Sequence, residues 1–203
     1  MINIIIIGAG GHAKACIDVI ESTKRFKIKG IVKKDNKEIT KNLYGYKILG
    51  NEKDLLNLRK KYLNCFIGVG QIKNPNIRIK LFNLLKKFKY EIPIIKSPFA
   101  NISKYSTINE GTILMHNCHI GPSSKINSNC IINTSCIIEH DAIIGNNCHI
   151  STGAIINGSV KIGESTFVGS NAVIKEGIKV GKNCIIGAGC KVMKNIPNNS
   201  IIK

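Results

Sequence analysis

From Ile102 onward an aliphatic residue returns at every sixth position, through Ile108, Leu114 and Ile120 to Ile186 and Val192. The register holds for sixteen hexads, ninety-six residues ending at Pro197, without a skipped beat. The fifth place of each hexad is mostly small (Ser106, Thr112, Cys118, Ser124, Ala142, Ala154, Thr166, Ala172). Gly and Asn crowd the second to fourth places, as at Gly121, Gly145-Asn146-Asn147 and Gly169. A fifth place and the next first place are two apart along a strand, so both side chains lie on one side of the pleat. A large aliphatic beside a small residue fills a narrow prism, and Gly and Asn tolerate the positive φ of tight corners. Three hexads make one coil with three flat faces, whose residues stack at about 4.8 Å. Such a period predicts a parallel β-helix. An Ile-rich sandwich has no reason to keep phase through sixteen hexads.

The chain ahead of the repeat reads differently. Ile2 to Ile7 is an apolar strand, and Gly8-Ala9-Gly10-Gly11-His12-Ala13 follows at once, then a helical stretch with Ala15, Val19 and Ile20 on one side. Strand, glycine turn and helix form a nucleotide-binding opening, in which backbone N–H groups face a phosphate. The same G-x-G-x-x-A spacing also serves a turn that only packs a helix on a sheet. Further strands are expected at Lys29–Val32, Cys65–Val69 and Ile92–Ile95, and helices at Asp54–Tyr62 and Arg78–Lys89, with Pro98 marking the passage onward. The expected organisation is a Rossmann-like α/β domain over residues 1–97 and a β-helix domain over 98–203. The second strand ends in Lys33-Lys34-Asp35. A dinucleotide enzyme wants an acidic residue there for the ribose, so two lysines argue against ordinary NAD use and leave Asp35 as the substitute.

Charge and cysteine content narrow the function. The formal net charge is +18, of which residues 1–97 carry +14 and residues 98–203 carry +4. Such a field draws phosphate-bearing ligands. No aromatic platform or helix-turn-helix pattern accompanies the lysines, which excludes a nucleic-acid reader. Six of the eight cysteines (Cys118, Cys130, Cys136, Cys148, Cys184, Cys190) fall on the fifth place of a hexad and read as core fillers. No C-x-x-C pair exists, so no metal is expected. The apolar start is too short to span a bilayer and has no basic flank before it, which predicts no membrane contact and a cytoplasmic protein.

Exceptions to the repeat carry the chemistry. The seventh hexad, Ile138-Glu139-His140-Asp141-Ala142-Ile143, sets a histidine between two carboxylates at a corner. Histidine is the natural general base near neutral pH, and a neighbouring carboxylate orients it. A solvated corner histidine is the plain reading; Asn157-Gly158-Ser159, eighteen residues on, leaves room for a ligand and favours catalysis. His149 is on a sixth place, pointing outward in the column Ile113, Ile131, His149, Phe167, Ile185. So apolar a column predicts an interface, in which His149 is either packing or a ligand contact. His116 and His119 receive no role.

The run Ile132-Asn133-Thr134-Ser135 to Glu139-His140-Asp141, then Ile144-Gly145, Cys148-His149-Ile150-Ser151, Gly153-Ala154 and Val160-Lys161-Ile162-Gly163, resembles the hexapeptide-repeat sugar acetyltransferases of the PglD/NeuD type. Gly8-Ala9-Gly10-Gly11-His12 and Gly68-Val69-Gly70 resemble that family's first domain. The best match is to its UDP-4-amino-sugar N-acetyltransferases. The resemblance implies a left-handed β-helix, a homotrimer, and acetyl-CoA held between subunits. By position it implies His140 as general base with Asp141 as partner, and His149 near the thioester. It implies Gly158, Ser170 and Ala188 along the cofactor, and Gly10, Gly11, His12 and Gly70 on the nucleotide sugar. The implied reaction is N-acetylation of a nucleotide-linked aminosugar in bacterial surface glycan synthesis, with O-acetylation of a sialic acid as alternative. Three departures stand out: Lys33-Lys34 where relatives are acidic, Ser97-Pro98 in place of His-Pro, and an ending, Asn199 to Lys203, unlike the usual Gly-x-Pro-Ala-Lys. The last implies a reduced contact with the coenzyme's nucleotide.

Two other classes fit less well. A metal-dependent hydratase similar to γ-type carbonic anhydrases needs histidines at a four-residue gap, which the pairs 116/119 and 140/149 do not provide. A pure scaffold has no need of Glu139-His140-Asp141. Counting around the prism sets His140 at the corner between the third and first faces and His149 on the second. One reaction using both therefore needs two chains, hence an expected homotrimer with sites between subunits.

Overall fold

The computed structural model of the chain describes residues 1–34, 42–72 and 74–203; Asp35 lies outside them. The first part is a sheet of β1 (Ile2–Ile7), β2 (Phe26–Val32), β3 (Asn42–Leu43), β4 (Tyr46–Gly50) and β5 (Asn64–Ile67), in the order β3-β4-β2-β1-β5. All neighbours run parallel except the β3–β4 hairpin. Helices α1 (Gly11–Ser22), α2 (Leu55–Leu58) and α3 (Asn76–Lys87) complete it. Two expectations change. The helix expected over Asp54–Tyr62 shrinks to α2 behind a short 3₁₀ turn at Glu52–Asp54, capped by the Asn51 side chain on Lys53 N–H. The strand expected at Ile92–Ile95 belongs elsewhere: Ile95–Lys96 pairs with Ile113–Leu114 as the first rung of the coil.

The hexad phase fixes the remainder. Each first-place aliphatic and the residue before it make a two-residue strand, from Asn101–Ile102 to Lys191–Val192. Parallel pairing at eighteen-residue steps, such as Ile131↔His149 and Ile143↔Lys161, stacks them into three flat sheets of a left-handed β-helix. The corners are made at the fourth place. From Gly111 to Gly189 every fourth-place residue has φ between 54 and 71°, the left-handed region that Gly and Asn tolerate best. The closing rung is two residues short, pairing Ile201–Ile202 with Ile185–Ile186.

Inside the prism, first-place aliphatics and fifth-place small residues form one continuous core. Cys118, Cys130, Cys136, Cys148 and Cys184 are buried there as expected; Cys190, in the last coils, is only half-buried. One corner carries a ladder of inner donors. Thr112 Oγ1 donates to Asn127 O (2.9 Å), Thr166 Oγ1 to Gly181 O (2.8 Å), and the thiols of Cys130, Cys148 and Cys184 meet carbonyls at 3.1 Å in the same manner. A small residue with one rotatable donor suits that place, because it satisfies a carbonyl turned inward.

The apolar column on the second face receives a different cover from the one its sequence suggests. Ile113 and Ile131 are fully buried, and they pack in a single cluster with Cys16, Ile17, Val19 and Ile20 of α1. The upper part of this column is thus closed by the chain's own first part. Only Phe167 and Ile185, further along, stay half-exposed.

Candidate active site

His140 stands at the corner between the third and first faces, where the left-handed residue Asp141 (φ 60°) turns the chain. The Asp141 carboxylate accepts a 2.8 Å hydrogen bond from His140 Nδ1. A carboxylate accepts and does not donate, so Nδ1 carries the hydrogen and, in the neutral ring, Nε2 is the nitrogen that bears the lone pair. The edge bearing Nε2 lies over Gly158, the next residue of the same corner. A Cβ built there would sit 2.6 Å from both Nε2 and Cε1, so glycine is required for the ring to lie as it does. His140, Gly158, Asn157, Ser159, Glu139, Glu176 and Gly177 line an open cavity of about 520 Å³. The arrangement is a base with a fixed tautomer facing solvent-accessible space.

The other expected cofactor positions lie apart from it within one chain. Ser170 and Ala188 stack at the corner between the second and third faces, with Ser170 Oγ bonded to Ser151 Oγ at 3.0 Å. His149 is 6% exposed. Its Nδ1 donates to the carbonyl of Gln71 at 2.5 Å, its Nε2 meets Asn133 Nδ2 at 3.2 Å, and Phe167 packs edge-on 5.2 Å away. Both nitrogens are engaged inside the chain. Burial pushes its pKa down to about 4, against an opposing pull from the Gln71 carbonyl. His149 is therefore a neutral imidazole of fixed tautomer. It points out of the prism, as its sixth-place position predicts, and the loop after β5 lies over it through the Gln71 carbonyl.

A second cavity, of about 490 Å³, opens at the ends of β1, β2 and β5. It brings together Gly10, Gly11, His12 and Gly70 with Lys33 and Lys34. Gly8, at φ 118°, allows the closest approach: a Cβ there would sit 2.9 Å from the Gly68 carbonyl carbon. Nothing lies within 4 Å of the Cβ positions of Gly10 and Gly11. The first N–H groups of α1, which has no side-chain cap at Gly10, stand at this opening. His12 packs against Gly70, whose added Cβ would fall 3.1 Å from His12 Cβ. Burial first, then the charge of Arg78, hold the His12 pKa down to about 3.

Three residues that the hexad pattern does not reveal tie the first part of the chain to the coil. Arg78 of α3 is fully buried and donates to four carbonyls: Ile67 (2.6 Å) and Val69 (3.0 Å) in the first part, Gly111 (3.1 Å) and Asn129 (3.3 Å) in the coil. Gln71 donates to Asn147 O. Ser97, at the position of the family's usual histidine, bonds His116 Nδ1 at 2.7 Å, and His116 Nε2 bonds Asp18 at 3.0 Å. This has the connectivity of a hydrolytic triad, but Ser97 is 3% exposed and its oxygen also accepts Phe99 N–H; it ties α1 to the first coils. The sequence signals for these are an isolated Arg on an apolar helix face and the Ser97-Pro98 departure. Among the described residues no group of three His, Cys, Asp or Glu could hold a metal ion, and no helix is long and apolar enough to cross a membrane.

Residues 3–85 match the PglD N-terminal domain, and residues 159–194 match the bacterial transferase hexapeptide repeat. Part by part, the chain resembles the PglD-type hexapeptide-repeat proteins. No curated protein sequence matches it. Among solved structures, the chain is similar to PerB of Caulobacter crescentus in complex with CoA and GDP-perosamine, at 26% identity and TM-score 0.90, covering 98% of this chain and 92% of that one. That perosamine N-acetyltransferase was also solved with one histidine replaced by asparagine or by alanine. The acetyltransferase domain of PglB from Neisseria gonorrhoeae, with acetyl coenzyme A, is 25% identical at TM-score 0.88 over 98% of this chain and 94% of that one. WeeI from Acinetobacter baumannii shares the fold at 23% identity and TM-score 0.79, over 100% of this chain and 97% of that one.

Proposed function

We propose that the protein transfers the acetyl group of acetyl-CoA to the amine of a nucleotide-linked aminosugar, such as a UDP-4-amino-4,6-dideoxy sugar, in the assembly of a bacterial surface glycan. The observation that carries this reading is the His140 pair: Nδ1 fixed by Asp141, Nε2 free over a glycine, at the mouth of a cavity. Similarity to an enzyme solved with CoA and GDP-perosamine supports it. Residues 1–97 would hold the nucleotide sugar at Gly10, Gly11, His12 and Gly70, under the positive field of that part. Residues 98–203 would carry the transfer. His140 Nε2 takes the proton from the attacking nitrogen as the C–N bond forms. When the C–S bond breaks it returns that proton to the coenzyme's sulfur.

The coenzyme would run along the small side chains of Ser170 and Ala188. In one chain that corner lies away from His140, so the reading needs a homotrimer in which a neighbour supplies it. His149, enclosed by Gln71 and Asn133, would act on the coenzyme side through Asn133 and not by donating a proton itself. The test is to incubate the protein with acetyl-CoA and a panel of UDP-, dTDP- and GDP-linked 4-amino-4,6-dideoxyhexoses and follow free thiol. Thiol release that depends on an aminosugar is expected. No release with any member of the panel overturns the proposal.

A further inference from the structure

Residues 98–203 hold nine basic and five acidic residues, in a chain of net charge +18. Two of the five acids are neutralised: Glu110 pairs with Lys86 at 2.8 Å and Glu164 with Lys182 at 2.9 Å. The other three gather at one corner. Asp141 holds the His140 ring, while Glu139 and Glu176 line the His140 cavity. Among the described residues neither Glu139 nor Glu176 has a cation within 4.0 Å. This holds although Lys175 adjoins Glu176 in the chain and Lys194 follows it in the stack.

Their placement relative to the base is specific. The Nε2 edge of His140 lies on Gly158, and Glu176 is the next residue of that corner, one rung or about 4.8 Å further along the axis. Glu139 precedes His140 in the chain and lines the same opening. Two unpaired carboxylates beside a general base suit a cation. They do not suit the phosphate groups that the rest of this basic protein would attract.

We infer that Glu139 and Glu176 select an amine acceptor by receiving it as its ammonium ion. The inference rests on the acetyl-transfer reading above. An aliphatic amine near a pKa of about 8 is mostly protonated at neutral pH. Such a nitrogen sheds two protons in becoming an amide, whereas a hydroxyl acceptor sheds one. The site has a separate exit for each. One proton leaves the ammonium through a Glu carboxylate to water. The freed lone pair then attacks the thioester carbon, the C–N bond forms and the C–S bond breaks. His140 takes the second proton and passes it to the thiolate. R–NH₃⁺ and acetyl-CoA thus give the N-acetyl sugar, CoA thiol and one H⁺ in solution.

The test uses the full chain and the fastest aminosugar of the panel, with thiol release followed from pH 6 to 10. At pH 7, Glu176→Gln and Glu139→Gln should each raise KM for the aminosugar roughly 3- to 10-fold. Most of that loss should vanish near pH 9.5, where the amine is already neutral. The matching 4-hydroxy sugar nucleotide, used as a competitive inhibitor, should change in KI by less than about two-fold. A KM loss that is the same at every pH, or an equal weakening of the hydroxyl analogue, overturns the inference. Failure of the unsubstituted protein to release thiol with any aminosugar would overturn the acetyl-transfer reading itself, and this inference with it.

Discussion

At Gly158 a single hydrogen atom in place of a methyl group decides where the His140 ring can lie. Gly158→Ala should leave the coil folded and reduce turnover by roughly 10- to 100-fold, because the methyl carbon would fall inside van der Waals contact with Nε2 and displace it. Steady-state kinetics beside a thermal melt checks this. His140→Ala should lower turnover by roughly 10²- to 10⁴-fold, the usual worth of a general base, with an unchanged circular dichroism spectrum. Asp141→Asn should lower it less, because it loosens the 2.8 Å hydrogen bond that orients the ring without removing the base. The buried histidines make a separate prediction about stability. His12 and His149 have native pKa values of about 3 and about 4, both below the ordinary 6.5. The unfolded chain therefore binds protons at pH values where the native one does not. Stability should be complete above about pH 6.5 and fall as pH drops towards about 4, at up to roughly 1.4 kcal/mol per unit for each histidine. Melting temperatures measured from pH 4 to 8 should show this slope, and His149→Gln should flatten part of it.

At the level of the rung, the six-residue period was enough to place every inward side chain from Ile102 to Val192, because pleat and stacking leave one phase that buries the aliphatics. It also located the corner of His140. The period gives a direction for an outward side chain but not the body that covers it: the column reads as an interface, and its Ile113, Ile131 and His149 are covered by the chain's own first part. Nor could it reveal Arg78 or Gln71, which reach main-chain carbonyls of the coil more than thirty residues away, at Gly111 and Asn147. A main-chain partner leaves no trace in residue type. The β3–β4 hairpin escaped notice because Asn42–Leu43 and Tyr46–Gly50 are too short and too mixed to show alternation. The rungs make their own prediction in thiol chemistry. Cys118, Cys130, Cys136, Cys148 and Cys184 should resist a thiol reagent in the native protein, while Cys190 reacts first. Rapid labelling of all six would contradict the packing.

For the molecule as a whole, the separation of the His140 corner from the Ser170–Ala188 corner carries the expectation of a trimer. Sedimentation should give about 67 kDa, three times the chain mass of 22.2 kDa. Co-refolding His140→Ala with Ser170→Trp should recover some activity, since a mixed trimer contains one cleft with both intact corners; mixed trimers without activity would refute the shared site. The coil has one further property, which follows from its unbroken eighteen-residue turn. Position in the sequence acts as a polar coordinate: the remainder on division by eighteen is an angle, and the quotient is a height. His140 and Ser170 differ by thirty residues, one full turn and two thirds of another. A duplication of eighteen residues between them would lengthen the cleft by one step and keep both groups at their bearings. A duplication of six, though it spares every buried aliphatic, would swing the second group onto a different edge. Length variation in such a chain is thus quantised by function in eighteens, while folding alone would accept sixes.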